Sequence, residues 1–315
     1  MTIGAVVVSH NSADDLPACL EALRSAADLG RVVVVDNASQ DQSRECVRAF
    51  DDPRIQLVAE KVNSGFAGGC NRGYRELGGE FEFLAFLNPD VVVSGDCLRR
   101  AAEMLAGDDS LAGVAPLLIR SDGETVDSVG QVLKGWSLEV LDRGYGAPLT
   151  AELTKEVDVL AACGALAIFR REALESVADE HGPWAQHYFC FWEDLELGWR
   201  LLNSGWRIRS CPEAVATHRR GAGAASGSGP LRWRRPPELE ACILTNRWMT
   251  LIRHLHPLDL VYRLPLLLIW DPSLVAAGAV RRPSLIGHLW RRWSMVKHEW
   301  KNRSRNRQRR LHELP

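Results

Sequence analysis

No two of the eight cysteines stand closer than 21 positions, so the chain encodes neither a CxxC redox pair nor a zinc knuckle. Free thiols in a reducing, cytoplasmic setting are the expectation. The first apolar run, residues 3–8, is short and has no basic leader, which argues against a secretory signal. The chain has no GKS or GKT phosphate loop and no GxGxxG fingerprint in its glycine-dense segment, so ATP-hydrolysing and adenine-dinucleotide classes lose support. The apolar stretch at residues 264–280 is interrupted by Asp271 and Pro272, short of the ~20 residues that a spanning helix needs. No internal repeat is present.

At 315 residues and 46% hydrophobic content, the chain can bury one large domain or a domain with an appendage. The first half alternates β-branched runs (residues 3–9, 32–36, 55–59 and 83–87) with amphipathic stretches such as Leu16, Leu20, Leu23 and Ala27. That alternation predicts an α/β fold with a mostly parallel, Rossmann-like sheet flanked by helices. Ligands of such sheets sit at the carboxyl ends of the strands, so Ser9, Asn11, Asp36, Asn88 and Asp90 should converge on one crevice. Further on, residues 157–169 form an apolar run whose small side chains at 161–165 allow close approach. Strands are expected at 206–210 and 214–218, then a mobile Gly/Ser loop at 219–230.

Charge divides the chain. Residues 231–315 carry 17 Lys and Arg against 6 Asp and Glu, and the rest carries 21 against 34. A basic tail on an acidic body suggests an anionic partner. Trp270, Trp290, Trp293 and Trp300, interleaved with Arg281, Arg282, Arg291, Arg292 and Lys297, suit a membrane surface. The same residues suit a helical bundle packed on the domain or on another subunit. Specific nucleic-acid binding is not expected. The reading therefore places one domain at 1–255 and a helical, basic and aromatic extension at 256–315.

Chemistry concentrates in four places. Residues 189–200 (FCFWEDLELGWR) set Glu193 and Asp194 between aromatics where helical spacing begins, which suits a catalytic carboxylate and equally a helix cap. Residues 63–73 (NSGFAGGCNRG) are dense in glycine, which permits close approach of backbone N–H groups to a phosphate or sugar. Asp36 ends the second strand, where a carboxylate meets a ribose or base. Asp90, fixed by Pro89, is a lone carboxylate suited to Mg²⁺ or Mn²⁺ shared with a phosphate, and His218 offers a nitrogen ligand.

In their order, these segments resemble the family 2 inverting glycosyltransferases of GT-A fold, in particular their rhamnosyltransferase-like branch. The similarity lies in VVVSHNS (6–12), VVDNASQD (34–41), residues 63–73, LNPD (87–90), GA (164–165), FWEDLELGWR (191–200), GW (205–206), PEA (212–214), His218 and NR (246–247), and covers about residues 1–255. It implies that Ser9, Asn11, Asp36 and the Asn63, Gly65, Phe66 and Asn71 loop hold a nucleoside-diphosphate sugar, dTDP-rhamnose or a UDP-sugar. It further implies that Asp90 is the last acid of the metal-binding DxD motif, and that the acidic pair supplies the base. Asn88 replaces the first DxD acid, which leaves fewer charged ligands. The acceptor implied is a hydroxyl of a cell-surface glycan or lipid-linked glycan. The base is assigned to Asp194 with Glu193 as the alternative, the metal to Asp90 and His218, and the Gly/Ser loop is expected to close over bound donor as a lid. A sugar-phosphate nucleotidyltransferase would want a glycine- and arginine-rich loop after the first strand. A non-catalytic membrane-docked scaffold would not need the acids.

Overall fold

Four β-branched runs of the first half form the parallel core of the sheet. Strands β1 (Ile3–Ser9), β2 (Leu29–Asp36), β3 (Ile55–Ala59) and β4 (Phe83–Leu87) lie in the order β3-β2-β1-β4 and all run the same way. Every residue of β1 and β4 is buried, as in a sheet covered on both faces. The computed structural model describes residues 2–26, 28–220, 235–303 and 308–315. Ala27 and residues 221–230 of the expected lid lie outside the described residues.

The rest of the chain extends the sheet beyond β4 with β5 (Val91–Val93), β6 (Leu111–Arg120), β7 (Val126–Ser128), β10 (Asp158–Val159), β11 (Leu166–Arg170) and β12 (Arg207–His218). The path is β10-β12-β6-β11-β4-β1-β2-β3, with β5 on β12 and β7 on β6. Strands β6 and β12 share the direction of the first four, whereas β11 is antiparallel to both of its neighbours. A separate hairpin, β8 (Gln131–Lys134) with β9 (Glu139–Asp142), leaves the sheet. The two strands expected at 206–210 and 214–218 are one strand, β12, whose register shifts between Cys211 and Val215. Pro212 sits in that shift, where a missing N–H costs the ladder least.

The glycine-dense segment departs from expectation. It is a helix, α3 (Gly65–Leu77), following α1 (Leu16–Arg24) and α2 (Ser43–Arg48). Its glycines serve packing: a Cβ at Gly73 would lie 2.3 Å from Val6 Cγ1 on β1. Helix α3 can therefore lie closer to the sheet than a helix with side chains at those positions.

Helices α4 (Cys97–Gly107), α5 (Arg171–Val177) and α6 (Glu193–Asn203) complete the α/β body, and α7 (Pro237–His254), α8 (Pro257–Arg281) and α9 (Ser284–Asn302) follow. The boundary expected at residue 255 falls in the short link between α7 and α8. Helix α9 folds back on α7, with Leu285 and Leu289 buried against Ala241 and Leu244. Asp271 and Pro272 do not interrupt α8: it runs unbroken for 25 residues through Pro265 and Pro272, long and apolar enough by length and composition to cross a membrane. Asp271 stays in the helix because its carboxylate turns to Arg247 at 3.0 Å.

Candidate active site

Helix α6 opens at Glu193, and its N-cap is Trp192 at φ 70°, so neither member of the acidic pair is the cap. Asp194 is spoken for by three donors. Its Oδ2 accepts from the Gly164 N–H and from Gln131 Nε2, each at 2.9 Å, and its Oδ1 accepts from the Leu195 N–H at 2.8 Å. The small residues at 161–165 thus bring a backbone amide against the carboxylate. Burial lifts the Asp194 carboxyl above the usual aspartate value, opposed by those same donors. Burial and then the Asp194 charge push Glu193 higher still, well above the glutamate range, and its buried Oε2 meets no hydrogen-bond partner among the described residues.

A third acid of the motif, Glu196, was not singled out in the sequence. It is fully buried and pairs with Arg200 at 2.8 Å, His254 at 3.1 Å and Arg253 at 3.2 Å. Burial would raise its carboxyl, but the two arginines and His254 hold it well below the usual range. It fastens α7 to α6.

The segment before the pair is held in an unusual backbone. Phe189, Phe191 and Trp192 have φ of 66°, 67° and 70°, a region non-glycine residues enter at a cost. Asn246 of α7 restrains it: its Nδ2 donates to the carbonyls of Tyr188 (2.9 Å), Cys190 (2.9 Å) and Phe191 (2.7 Å). From the other side Gly65, at φ 75°, lies so close that a Cβ would meet the Phe189 carbonyl at 2.2 Å. The side chain of Asn246 and the bare Cα of Gly65 therefore fix how the acidic pair is presented.

A cavity of about 490 Å³ receives Asp194 and Glu193 together with Phe66, Asn88 and His218. The β8–β9 hairpin closes one side with Gln131 and Asp142. Burial pushes the Asp142 carboxyl up to about 6, with Arg220 opposing. The hairpin turns around Gly135 at φ 73°, and its strands QVLK and EVLD hold one β-branched residue each, too weak a signal to mark it in sequence.

Asp90 and His218 meet because β12 pairs antiparallel with β5, which sets His218 opposite Val91. His218 Nε2 lies 3.3 Å from Asp90 Oδ2, and its Nδ1 lies 2.7 Å from Asp127 Oδ2. Burial would lower the imidazole, but the two carboxylates push it up to about 9. Asp127 is fully buried; burial would raise its carboxyl, yet His218 and Arg220 bring it below the usual range. Among the described residues no group of three or more His, Cys, Asp or Glu side chains forms a closed metal site. The pair fits an open one once an arriving cation displaces the Nε2 proton that the two carboxylates favour. A carboxylate facing one imidazole nitrogen, with a second carboxylate orienting the other, is the donor set of a cation that takes its remaining ligands from water and phosphate.

At the other strand ends, register places Ser9 opposite Asp36. Ser9 Oγ and Asp36 Oδ2 are buried and have no hydrogen-bond partner among the described residues, while Asp36 Oδ1 binds Arg44. Asn11 is exposed, at φ 52°, and its side chain accepts from the Gln40 N–H. Asn63 accepts from the Gly65 N–H at the start of α3. Asn71 departs from its expected place: it is fully buried under the loop at Gly182 and Trp184, and its amide exchanges two hydrogen bonds with the Trp184 backbone, at 2.8 and 2.9 Å. Its amide is thereby committed to holding the loop that leads into the aromatic segment.

The chain is 38% identical over 99 residues to the succinoglycan biosynthesis protein ExoO of Rhizobium meliloti (31% of this chain, 28% of that protein's length). It is 24% identical over 236 residues to an N-acetylglucosaminyl-diphospho-decaprenol L-rhamnosyltransferase of Mycobacterium tuberculosis (68% and 74%). A mannosyltransferase from Pyrobaculum calidifontis, solved with GDP-Man and Mn²⁺, superimposes with a TM-score of 0.56 at 19% identity over 96% of this chain and 85% of that one. That likeness, with the sheet order above, identifies the fold as GT-A. The model of the glycosyl transferase family 2 matches residues 5–178, more than half of the sequence, and the chain belongs to that family.

Proposed function

We propose that the protein moves a sugar from a nucleoside-diphosphate donor, with rhamnose or a similar hexose on dTDP or UDP, to a hydroxyl of a cell-surface glycan or lipid-linked glycan. The displacement at the anomeric carbon is direct, with inversion. The observation that carries this reading is Asp194, a half-buried carboxylate in a cavity wall with three hydrogen-bond donors fixing its orientation. In a direct displacement the acceptor hydroxyl must give up its proton to a group within hydrogen-bond reach. Asp194 takes this proton. Glu193 is the weaker choice, because burial and the Asp194 charge push its carboxyl well above the usual glutamate range and its Oε2 meets no hydrogen-bond partner among the described residues that would orient it.

The remaining residues handle the donor. The unpartnered atoms Ser9 Oγ and Asp36 Oδ2 await hydrogen bonds from the nucleoside, and Asn88 and Phe66 face the sugar. Asp90 and His218 would hold Mg²⁺ or Mn²⁺, with Asp127 keeping the imidazole oriented. Such a cation supplies charge to the departing diphosphate. The basic, tryptophan-bearing tail, and the decaprenol-linked acceptor in the name of the mycobacterial relative, support a place at a membrane surface.

Three results are expected. A melting screen of nucleotide-sugars with Mg²⁺ or Mn²⁺ raises the transition for one donor, since a ligand bound only by the folded chain stabilises it; no shift with any donor would sink the reading. Asp90→Ala removes most of the activity along with the divalent-cation dependence of the residue that is left; an unchanged cation titration would count against the assignment. The rate also falls on the acid side. Below the Asp194 pKa the base is protonated, so kcat/KM drops about tenfold per pH unit, with a midpoint above the usual aspartate value because the group is raised. A kcat/KM flat down to the ordinary aspartate range would contradict this.

A further inference from the structure

Helix α8 is built inside out for a helix facing water. Three of its four charged residues turn inward: Asp259 pairs with Arg310 at 3.0 Å, Arg263 donates to the carbonyls of Gly135 and Trp136 at 3.0 Å, and Asp271 pairs with Arg247 at 3.0 Å. The fourth, Arg281, ends the helix. The outward faces carry Val261, Tyr262, Leu264, Leu266, Leu268, Ile269 and Val280, with Tyr262 79%, Ile269 70% and Val280 85% exposed. From Leu264 to Val280 no charged side chain points away from the protein. A surface helix of a soluble protein shows the opposite order, and a continuous apolar patch of this kind marks a partner.

Charge and aromatic placement around the patch name the partner. On α9, Trp290, Trp293 and Trp300 are exposed beside Arg291 and Lys297, and Trp136 at the hairpin tip is exposed next to Arg263. Indole rings and cations on the rim of an apolar face match the headgroup level of an anionic bilayer. Helix α8 is stitched to the protein body at residues 259, 263 and 271, and Leu274 and Val275 pack near Leu285 and Leu289 of α9. A polar body attached along this length cannot follow the helix into hydrocarbon, so α8 lies on the membrane and does not cross it. The opposite side of the same helix gives Trp270 and Leu274 to the cavity that holds Asp194.

We propose that the outward face of α8, with the Trp and Arg/Lys rim of α9, docks this protein into the surface of an anionic lipid bilayer. The Asp194 cavity is thereby set one helix thickness from the lipid, and the acceptor is a membrane-borne, lipid-linked sugar. The acceptor half rests on the glycosyl-transfer reading; the docking half does not.

The test is flotation of the full chain with vesicles of phosphatidylcholine alone or with about 30% phosphatidylglycerol. The wild type is expected to float with the anionic vesicles and about tenfold less with the neutral ones. Leu268→Glu with Ile269→Glu, both exposed positions, should lower flotation at least about tenfold. Arg281→Glu with Lys297→Glu should weaken it chiefly on anionic vesicles. Melting and donor hydrolysis by the Leu268/Ile269 variant should match the wild type, so that a lost fold is not mistaken for lost docking. The proposal is overturned by a wild type that stays at the bottom with both vesicles, by flotation indifferent to phosphatidylglycerol, or by a double-Glu variant that floats as well as the wild type. It is equally overturned if light scattering in lipid-free buffer finds a wild-type dimer that the double-Glu variant dissolves into monomers, since the patch is then a self-interface. Donor turnover is scored apart from flotation, so a failure of the transferase reading shows as lost turnover with docking intact.

Discussion

Asp194→Asn is expected to lower kcat by about 10²–10⁴-fold, the range that a positioned general base contributes, while the melting shift given by the nucleotide-sugar persists. The substitution keeps the shape and removes the proton acceptor. It has a structural cost as well. Three donors converge on this carboxylate, and an amide has one acceptor atom to offer, so either the Leu195 N–H or the Gly164 and Gln131 pair faces an NH₂ group. That mismatch costs about 1–3 kcal/mol of stability, and the assay must therefore run well below the variant's melting temperature. Glu193→Gln is the control that separates the two neighbours. Burial and the Asp194 charge favour the neutral form of Glu193, so its amide isostere should keep kcat within a few-fold. If Glu193→Gln is the dead variant and Asp194→Asn turns over, the base has been assigned to the wrong residue.

The parallel half of the sheet was legible because each strand is a run of β-branched or aromatic residues bounded by turn residues. Residues 55–59 and 83–87 were read with the bounds that β3 and β4 have. Once those strands were placed, Ser9, Asp36, Asn88 and Asp90 had to fall at carboxyl ends. The glycines of residues 63–73 misled for a physical reason: a glycine that lets a backbone approach a ligand and one that lets a helix approach Val6 leave the same mark in sequence. Asn71 was drawn into the donor site by the same segment, although its partner is the Trp184 backbone 113 residues away. Asp127 and Gln131 were missed because their meaning depends on contacts with His218 and Asp194, 91 and 63 residues further on, which no local period encodes.

Asn246→Ala is the second large effect, and it probes geometry where Asp194→Asn probes chemistry. One buried amide serves the carbonyls of residues 188, 190 and 191, and its Oδ1 accepts from Arg292 at 2.7 Å. Alanine removes the side-chain donor from all three carbonyls; the Tyr188 carbonyl keeps the Cys190 N–H at 2.8 Å and Arg292 keeps Thr245 and the His187 carbonyl, so the loss falls on the carbonyls of Cys190 and Phe191, at about 1–3 kcal/mol for each that water cannot reach. The segment has a second reason to move. Its three residues at positive φ store about 1–3 kcal/mol each, a strain that persists only while the surroundings impose it. Released, the chain from 189 to 192 relaxes, and the start of α6 shifts with it. A displacement of about 1 Å at a reacting group costs on the order of 10²-fold in rate, so kcat should fall by about that factor, with the donor KM changed far less because Ser9 and Asp36 lie on other elements. Asn246→Asp discriminates a clamp from a mere space-filler. Its carboxylate pairs with Arg292 but cannot donate to a carbonyl, so it should be as slow as the alanine variant. Near wild-type kcat in Asn246→Asp would mean that the three carbonyl contacts do not position the acidic pair.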